Sequence, residues 1–175
     1  MEHMNSKKRM RPVALAAAMV MMLAVSTFAA VKLWDARDIS SEFGYNRLAE
    51  AFERGDALRI DETVSQAGYD ITLMGLASGE SLGQDDEDST YAVVAIANSD
   101  GTPMPGKDDE NYLAQSFFIS PLIEGLAPWQ YNIASMNGGY TEEVIDGVRY
   151  RLISCDNVEM FADRKMHLCV SDTPF

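Results

Sequence analysis

Residues 7–34, "KKRMRPVALAAAMVMMLAVSTFAAVKLW", constrain this chain more than any other stretch. Four cations, Lys7, Lys8, Arg9 and Arg11, precede 20 residues, 12–31, without a formal charge. At about 1.5 Å per residue a helix over that run is about 30 Å long, the thickness of a bilayer's hydrocarbon core. Residues 12–31 are therefore expected to form a transmembrane signal anchor. The positive-inside rule then keeps residues 1–11 as a cytoplasmic tail and sends everything after the anchor across the membrane. The alternative is a signal peptide cut behind Ala29, at the small-x-small site Thr27-Phe28-Ala29, which would release a secreted domain. The length of the run and the poor fit of Thr27 to a cleavage site favour the anchor.

Charge divides at the same place. Of 14 basic and 27 acidic side chains, setting aside the four leading cations and Glu2 leaves ten against 26 from Val31 onward, a net of −16. A domain so acidic repels nucleic acid and anionic lipid surfaces, so neither is expected as its ligand. Acidity of this kind keeps a domain soluble, and it also suits a basic partner.

About 140 residues remain beyond the anchor, enough for one domain with a core. Residues 32–56 read as a juxtamembrane linker with a short amphipathic helix: Ser40, Ser41 or Asn46 can cap its start, and Gly55 stands just past its end. Tyr45, Leu48 and Phe52 share one face of that helix. From Ala57 the apolar period changes to two. "ALRIDETV" and "YDITLMGLAS" read as a hairpin around Gln66-Ala67-Gly68, and "TYAVVAIAN" ends at the turn Ser99-Asp100-Gly101. "QSFFISPLI", "WQYNIASM", "GVRYRLISC", "VEMFA" and "MHLCVS" follow as further strands, punctuated by Gly138-Gly139 and Asp146-Gly147. The pattern predicts a mainly β fold over residues 57–175, an antiparallel β-sandwich, immunoglobulin-like or related, preceded by the transmembrane helix and the short amphipathic helix.

Little in the chain points to catalysis. Of two histidines, His3 lies in the tail and His167 sits in an expected strand two positions from Cys169, where side chains stand about 6.5 to 7 Å apart, too far for a Cys-His dyad. The nucleophile and zinc-protease motifs are missing, so no catalytic residue is assigned and the protein is not expected to be an enzyme. The acidic runs "GQDDEDST" and "PMPGKDDENY" lack the alternating spacing of a calcium loop and read as solvated surface. No metal or cofactor is expected. Cys155 and Cys169 suit either an oxidised pair or two small buried side chains. The segment "SPLIEGLAPWQYNIASMNGGYTEEVIDGVRY" gathers aromatic residues beside a Gly-rich turn. Core and turn is its plainer reading; if the chain carries a recognition loop, it is here, with Trp129, Tyr131 and Tyr140 as contacts.

"DETVSQAGYDITLMGLASG", "TYAVVAIANSDGTPMP", "FFISPLIEGLAPWQYNIASMNGGY" and "CDNVEMFADRKMHLCVSD" together resemble the extracytoplasmic part of single-pass membrane proteins of Gram-positive bacteria that carry a β-rich domain of unknown function. The resemblance covers most of residues 30–175. It implies an anti-sigma-like role in envelope sensing, since such proteins are encoded beside extracytoplasmic-function sigma factors. It brings no catalytic or binding residues with it. It also suggests a longer ectodomain, so the stop at "SDTPF" directly after an expected strand leaves room for a truncated C-terminus. The 11 residues before Pro12 hold one His and no Cys, too little to grip a sigma factor directly. The reading is a membrane-anchored, non-enzymatic domain that binds a protein or envelope ligand. The alternatives are a secreted structural domain and, last, an envelope hydrolase.

Overall fold

The computed structural model describes residues 32–83 and 87–171. The run 12–31 and the tail 1–11 lie outside the described residues. Among those described, no helix is long and apolar enough to cross a membrane. Strands hold 42% of them and helices 18%, and both sheets are antiparallel, so the class is mainly β.

Two helices open the described chain where one was expected. Helix α1, Ala36–Glu42, starts at Asp35, whose carboxylate accepts the Arg37 N–H at 2.8 Å. Helix α2, Asn46–Arg54, begins without a side-chain cap and ends at Gly55 in the left-handed region. Ser40 and Ser41 thus lie inside α1 rather than capping a start, and Asn46 is the first residue of α2. Gly44, at φ 82°, makes the corner between the helices. The expected apolar face survives on α2, where Leu48 and Phe52 are buried and Tyr45 packs against the same core.

Five strands form the main sheet in the order β1-β2-β3-β6-β5. They are β1 Leu58–Gln66, β2 Tyr69–Ser78, β3 Ser89–Asn98, β5 Gly139–Ile145 and β6 Val148–Asp156. The anticipated hairpin closes at the pair Gln66 and Tyr69, with Ala67 and Gly68 both at positive φ, the backbone a two-residue turn requires. Asp146 and Gly147 do the same between β5 and β6. The remaining strands, β4 Phe118–Ile123 and β7 Met166–Ser171, pair with each other as a separate ribbon.

The main sheet is covered on both faces. On one, α1 and α2 pack over Val93, Ala95, Tyr150 and Leu152. On the other, Ile119 and Ile123 of β4 and Leu168 and Val170 of β7 meet Val94, Ile96 and Ile153. Three local readings are corrected. "WQYNIASM" is a series of turns held by Asn132, whose side chain accepts from Ala134 N and donates to Pro128 O. "VEMFA" makes a 3₁₀ turn, Glu159–Phe161, not a strand. Edge strand β5, which carries Tyr140 and Glu142, was not expected as a strand at all: its "GYTEEVI" has two adjacent glutamates and only weak alternation.

Candidate functional site

The aromatic residues singled out from sequence stand apart in their exposure. Trp129 is 76% exposed, Tyr140 60% and Tyr131 38%. Trp129 and Tyr131 belong to the turns of the β4–β5 loop, and Tyr140 is the second residue of β5. Each of the two tyrosines has its own support: Tyr131 sets its ring edge-on to Phe161 at 5.5 Å, and Tyr140 lies over the Arg151 guanidinium at 4.0 Å. The loop is tied back to the sheet by Asp156 N–H donating to Met136 O and by Asn137 Nδ2 donating to Asp156 Oδ2. Ser120 Oγ accepts the Ile133 N–H at 2.9 Å. Hydrogen bonds thus tie the loop to the sheet, and each of the three exposed rings has a separate setting.

Beneath Tyr140 lies a charged cluster that sequence reasoning missed. Arg149 and Arg151 of β6 and Glu142 of β5 are all buried. Arg151 engages Glu142 with both Nε, at 2.8 Å, and Nη2, while its Nη1 donates to Phe117 O at 2.6 Å. The other carboxylate oxygen of Glu142 accepts the Tyr112 hydroxyl at 2.6 Å. Arg149 donates to the carbonyls of Gln115 and Pro105, and its guanidinium stacks on the rings of Tyr112 and Phe117. The two cations therefore share one carboxylate, and backbone oxygens and aromatic faces compensate the second. Pro105, Tyr112, Gln115 and Phe117 all belong to the long loop 99–117, so the cluster fastens that loop across the sheet.

Burial pushes the Tyr112 hydroxyl up to about 12, helped by its hydrogen bond to Glu142 and by that group's charge. An unfolded tyrosine ionises near pH 10. The folded protein consequently holds a proton that the unfolded chain has lost between about pH 10 and 12, and stability falls as pH rises through that window. Tyr112→Phe is expected to flatten this part of the stability–pH curve, with chemical denaturation at a series of pH values as the measurement. A curve unchanged by the substitution would assign the alkaline loss to other groups.

The cysteines are both free, Cys155 buried and Cys169 half-buried. Burial, then the nearby Asp156 charge, pushes the Cys155 thiol up to about 11, which makes it a poor nucleophile. His167 is exposed on β7. Among the described residues no group of three or more His, Cys, Asp or Glu is placed to hold a metal ion. Between the main sheet and the β4–β7 ribbon lies a half-open cleft of about 60 Å³, lined by Leu73, Leu76, Ala92, Ile153, Cys155 and Leu168 among others.

No family model, curated protein or solved structure matches this chain.

Proposed function

We propose that this is a single-pass, membrane-anchored protein whose extracytoplasmic domain, a β-sandwich of immunoglobulin-like or related kind, binds a protein or envelope ligand without catalysing a reaction. The observation that carries the reading is the uncharged run 12–31 behind Lys7, Lys8, Arg9 and Arg11, joined to a domain of net charge −16. Only Lys32 separates that run from Leu33 and Trp34, which pack against the sheet. The Trp34 N–H donates to the Tyr150 hydroxyl at 2.9 Å, and its indole N–H to Asp146 at 3.0 Å. An anchor at 12–31 therefore holds the domain close against the bilayer. Trp129, Tyr131 and Tyr140 are its recognition surface in this reading.

Fractionation tests the anchor. The full-length chain should stay with membranes until detergent is added, and its domain should be open to protease from outside. A mature form beginning at Ala30 in the medium would overturn the anchor and favour the second reading, a secreted structural domain, for which the Thr27-Phe28-Ala29 site speaks.

Trp129→Ala tests whether the exposed indole has a structural task. At 76% exposure its loss is expected to change stability by no more than about 0.5 kcal/mol. It should also remove most of the tryptophan fluorescence that acrylamide quenches, since Trp34, the other tryptophan, is half-buried. A large drop in melting temperature would mark Trp129 as part of the fold instead of a contact surface.

A further inference from the structure

The two sheets present four strand edges, those of β1, β5, β4 and β7. Three carry the features that keep an edge from pairing with another chain. β1 slips register between Arg59 and Glu62, with Asp61 at φ 53°. β5 turns Glu142 inward to Arg151 and carries Glu143 beside it. β4 has Pro121 within it, and its Ser120 is bonded to the neighbouring β4–β5 loop through the Ile133 N–H. β7, "MHLCVS", has no acid, lysine, arginine, proline or glycine, and its register with β4 is unbroken from Met166 to Ser171. Among the described residues, no hydrogen bond outside that ladder is made at 166–170. A regular, uncharged strand with one side of its backbone unpaired is a template for another strand.

The layer to which β7 belongs also stops short on that side. β4 lies toward β6, where Phe117 O accepts the Arg151 Nη1 proton, and β7 lies toward β2, where Met166 and Leu168 wall the cleft together with Leu73 and Leu76. Val94 and Ile96 of β3 are fully buried under the ribbon, whereas Ile71 and Leu76 of β2 and Ile60 of β1, on the same face, are only half covered. A third ribbon strand, about 4.8 Å beyond β7, would lie over those side chains. The cleft's almost wholly apolar lining calls for apolar side chains turned inward. Glu62 of β1 marks the outer margin of this face: it is in register with Leu73, two positions from Val64, exposed, and without an ion pair among the described residues. A cationic side chain on the added strand would complement it.

We infer that the open edge of β7 binds an extended segment of another protein as an added strand, with apolar side chains turned toward β2 and a lysine or arginine toward Glu62. A second copy of this chain fits the edge less well, because two domains of net charge −16 repel each other. The inference depends neither on the anchor nor on the aromatic loop, which adjoins β4 instead.

The test pans the protein, in whichever form fractionation finds it, against random peptides displayed on phage, and the most enriched peptide is synthesised. That peptide should alternate apolar residues and carry a lysine or arginine. On binding, the backbone amide resonances of 166–170 should shift saturably while those of β5 stay in place. Methylating alternate amides of the peptide removes its ladder but keeps its side chains, and should weaken binding at least about tenfold. Neighbouring strand amides point opposite ways, so one of His167→Pro and Leu168→Pro spares the ladder to β4. The variant that keeps its melting temperature should lose the peptide, and if both unfold the methylated peptide decides. Glu62→Lys should weaken binding about threefold or more, and Trp129→Ala should leave it unchanged. The inference is overturned by the absence of any enriched peptide, by binding without shifts at 166–170 or lost with Trp129→Ala, or by equal binding of the methylated peptide. The same shifts arising with protein concentration alone would make a second copy the occupant and overturn it too.

Discussion

Glu142→Ala is expected to cost about 3 to 5 kcal/mol of stability, the range for removing one partner of a buried ion pair. Among the described residues the carboxylate is the one anion paired with two guanidiniums that are 1% and 2% exposed, so its loss leaves both cations in the interior with carbonyls and rings. Tyr112 loses its acceptor in the same step, and with it the tie between loop 99–117 and β5. Glu142→Gln keeps the shape and one acceptor but not the charge, so it should fall in the same range, near its lower end. Replacing Glu142 and Arg151 together by leucine and methionine should cost less than Glu142→Ala, because one buried cation is removed with the carboxylate, while the remaining cost reports Arg149 left without its anion. Urea denaturation of the three variants measures this. A cost below about 1 kcal/mol for Glu142→Ala would mean that water reaches the guanidiniums and that the cluster is not a buried brace.

Gly75→Ala is expected to destabilise by about 3 kcal/mol or more, at or beyond the usual upper end for overpacking a core. Gly75 sits just past the irregularity in the β2–β3 register, on the face that receives helix α2. A Cβ there would stand 2.5 Å from the Phe52 ring and 2.8 Å from the Leu58 carbonyl oxygen. The ring can turn aside only by leaving its buried site, and the carbonyl belongs to the paired backbone of β1. Shortening the ring in the double variant Gly75→Ala, Phe52→Leu should therefore recover part of the loss and not all of it. Thermal unfolding of the single and double variants reads the difference, and full recovery would place the whole conflict at Phe52. The close approach explains why a strand otherwise rich in large apolar residues carries a glycine at its centre.

The contrast between β5 and β6 shows where reading the sequence succeeds and where it fails. "GVRYRLISC" alternates well enough to be recognised as a strand, yet alternation alone makes Arg149 and Arg151 look like the solvated face. They are buried because loop 99–117 crosses that face and because β5, distant in pattern from any strong strand, brings Glu142 beside Arg151 in register. Tyr112 belongs to the cluster for the same reason. Nothing in the sequence marks it, because it ends an acidic run, "KDDENY", that reads as solvated loop. Composition and the neighbouring glycines single out Trp129, Tyr131 and Tyr140 in the sequence, but the turns that expose Trp129 and Tyr131 read there as a strand, and β5, which exposes Tyr140, does not.

What the sequence by itself determined is local and short in range. The charge-free run behind four cations, the acidity of the remainder, the left-handed stop at Gly55 and the two-residue turns at Ala67-Gly68 and Asp146-Gly147 each depend on a few neighbouring residues and their backbone preferences. The tertiary structure alone decided which side chains meet. Strand order β1-β2-β3-β6-β5, the separate β4–β7 ribbon over the sheet's second face and the Arg149–Glu142–Arg151 cluster all join segments far apart in the chain. A strand's pattern records that it has two faces; what covers each face is set by the elements that pack there, and that information is spread over the whole chain.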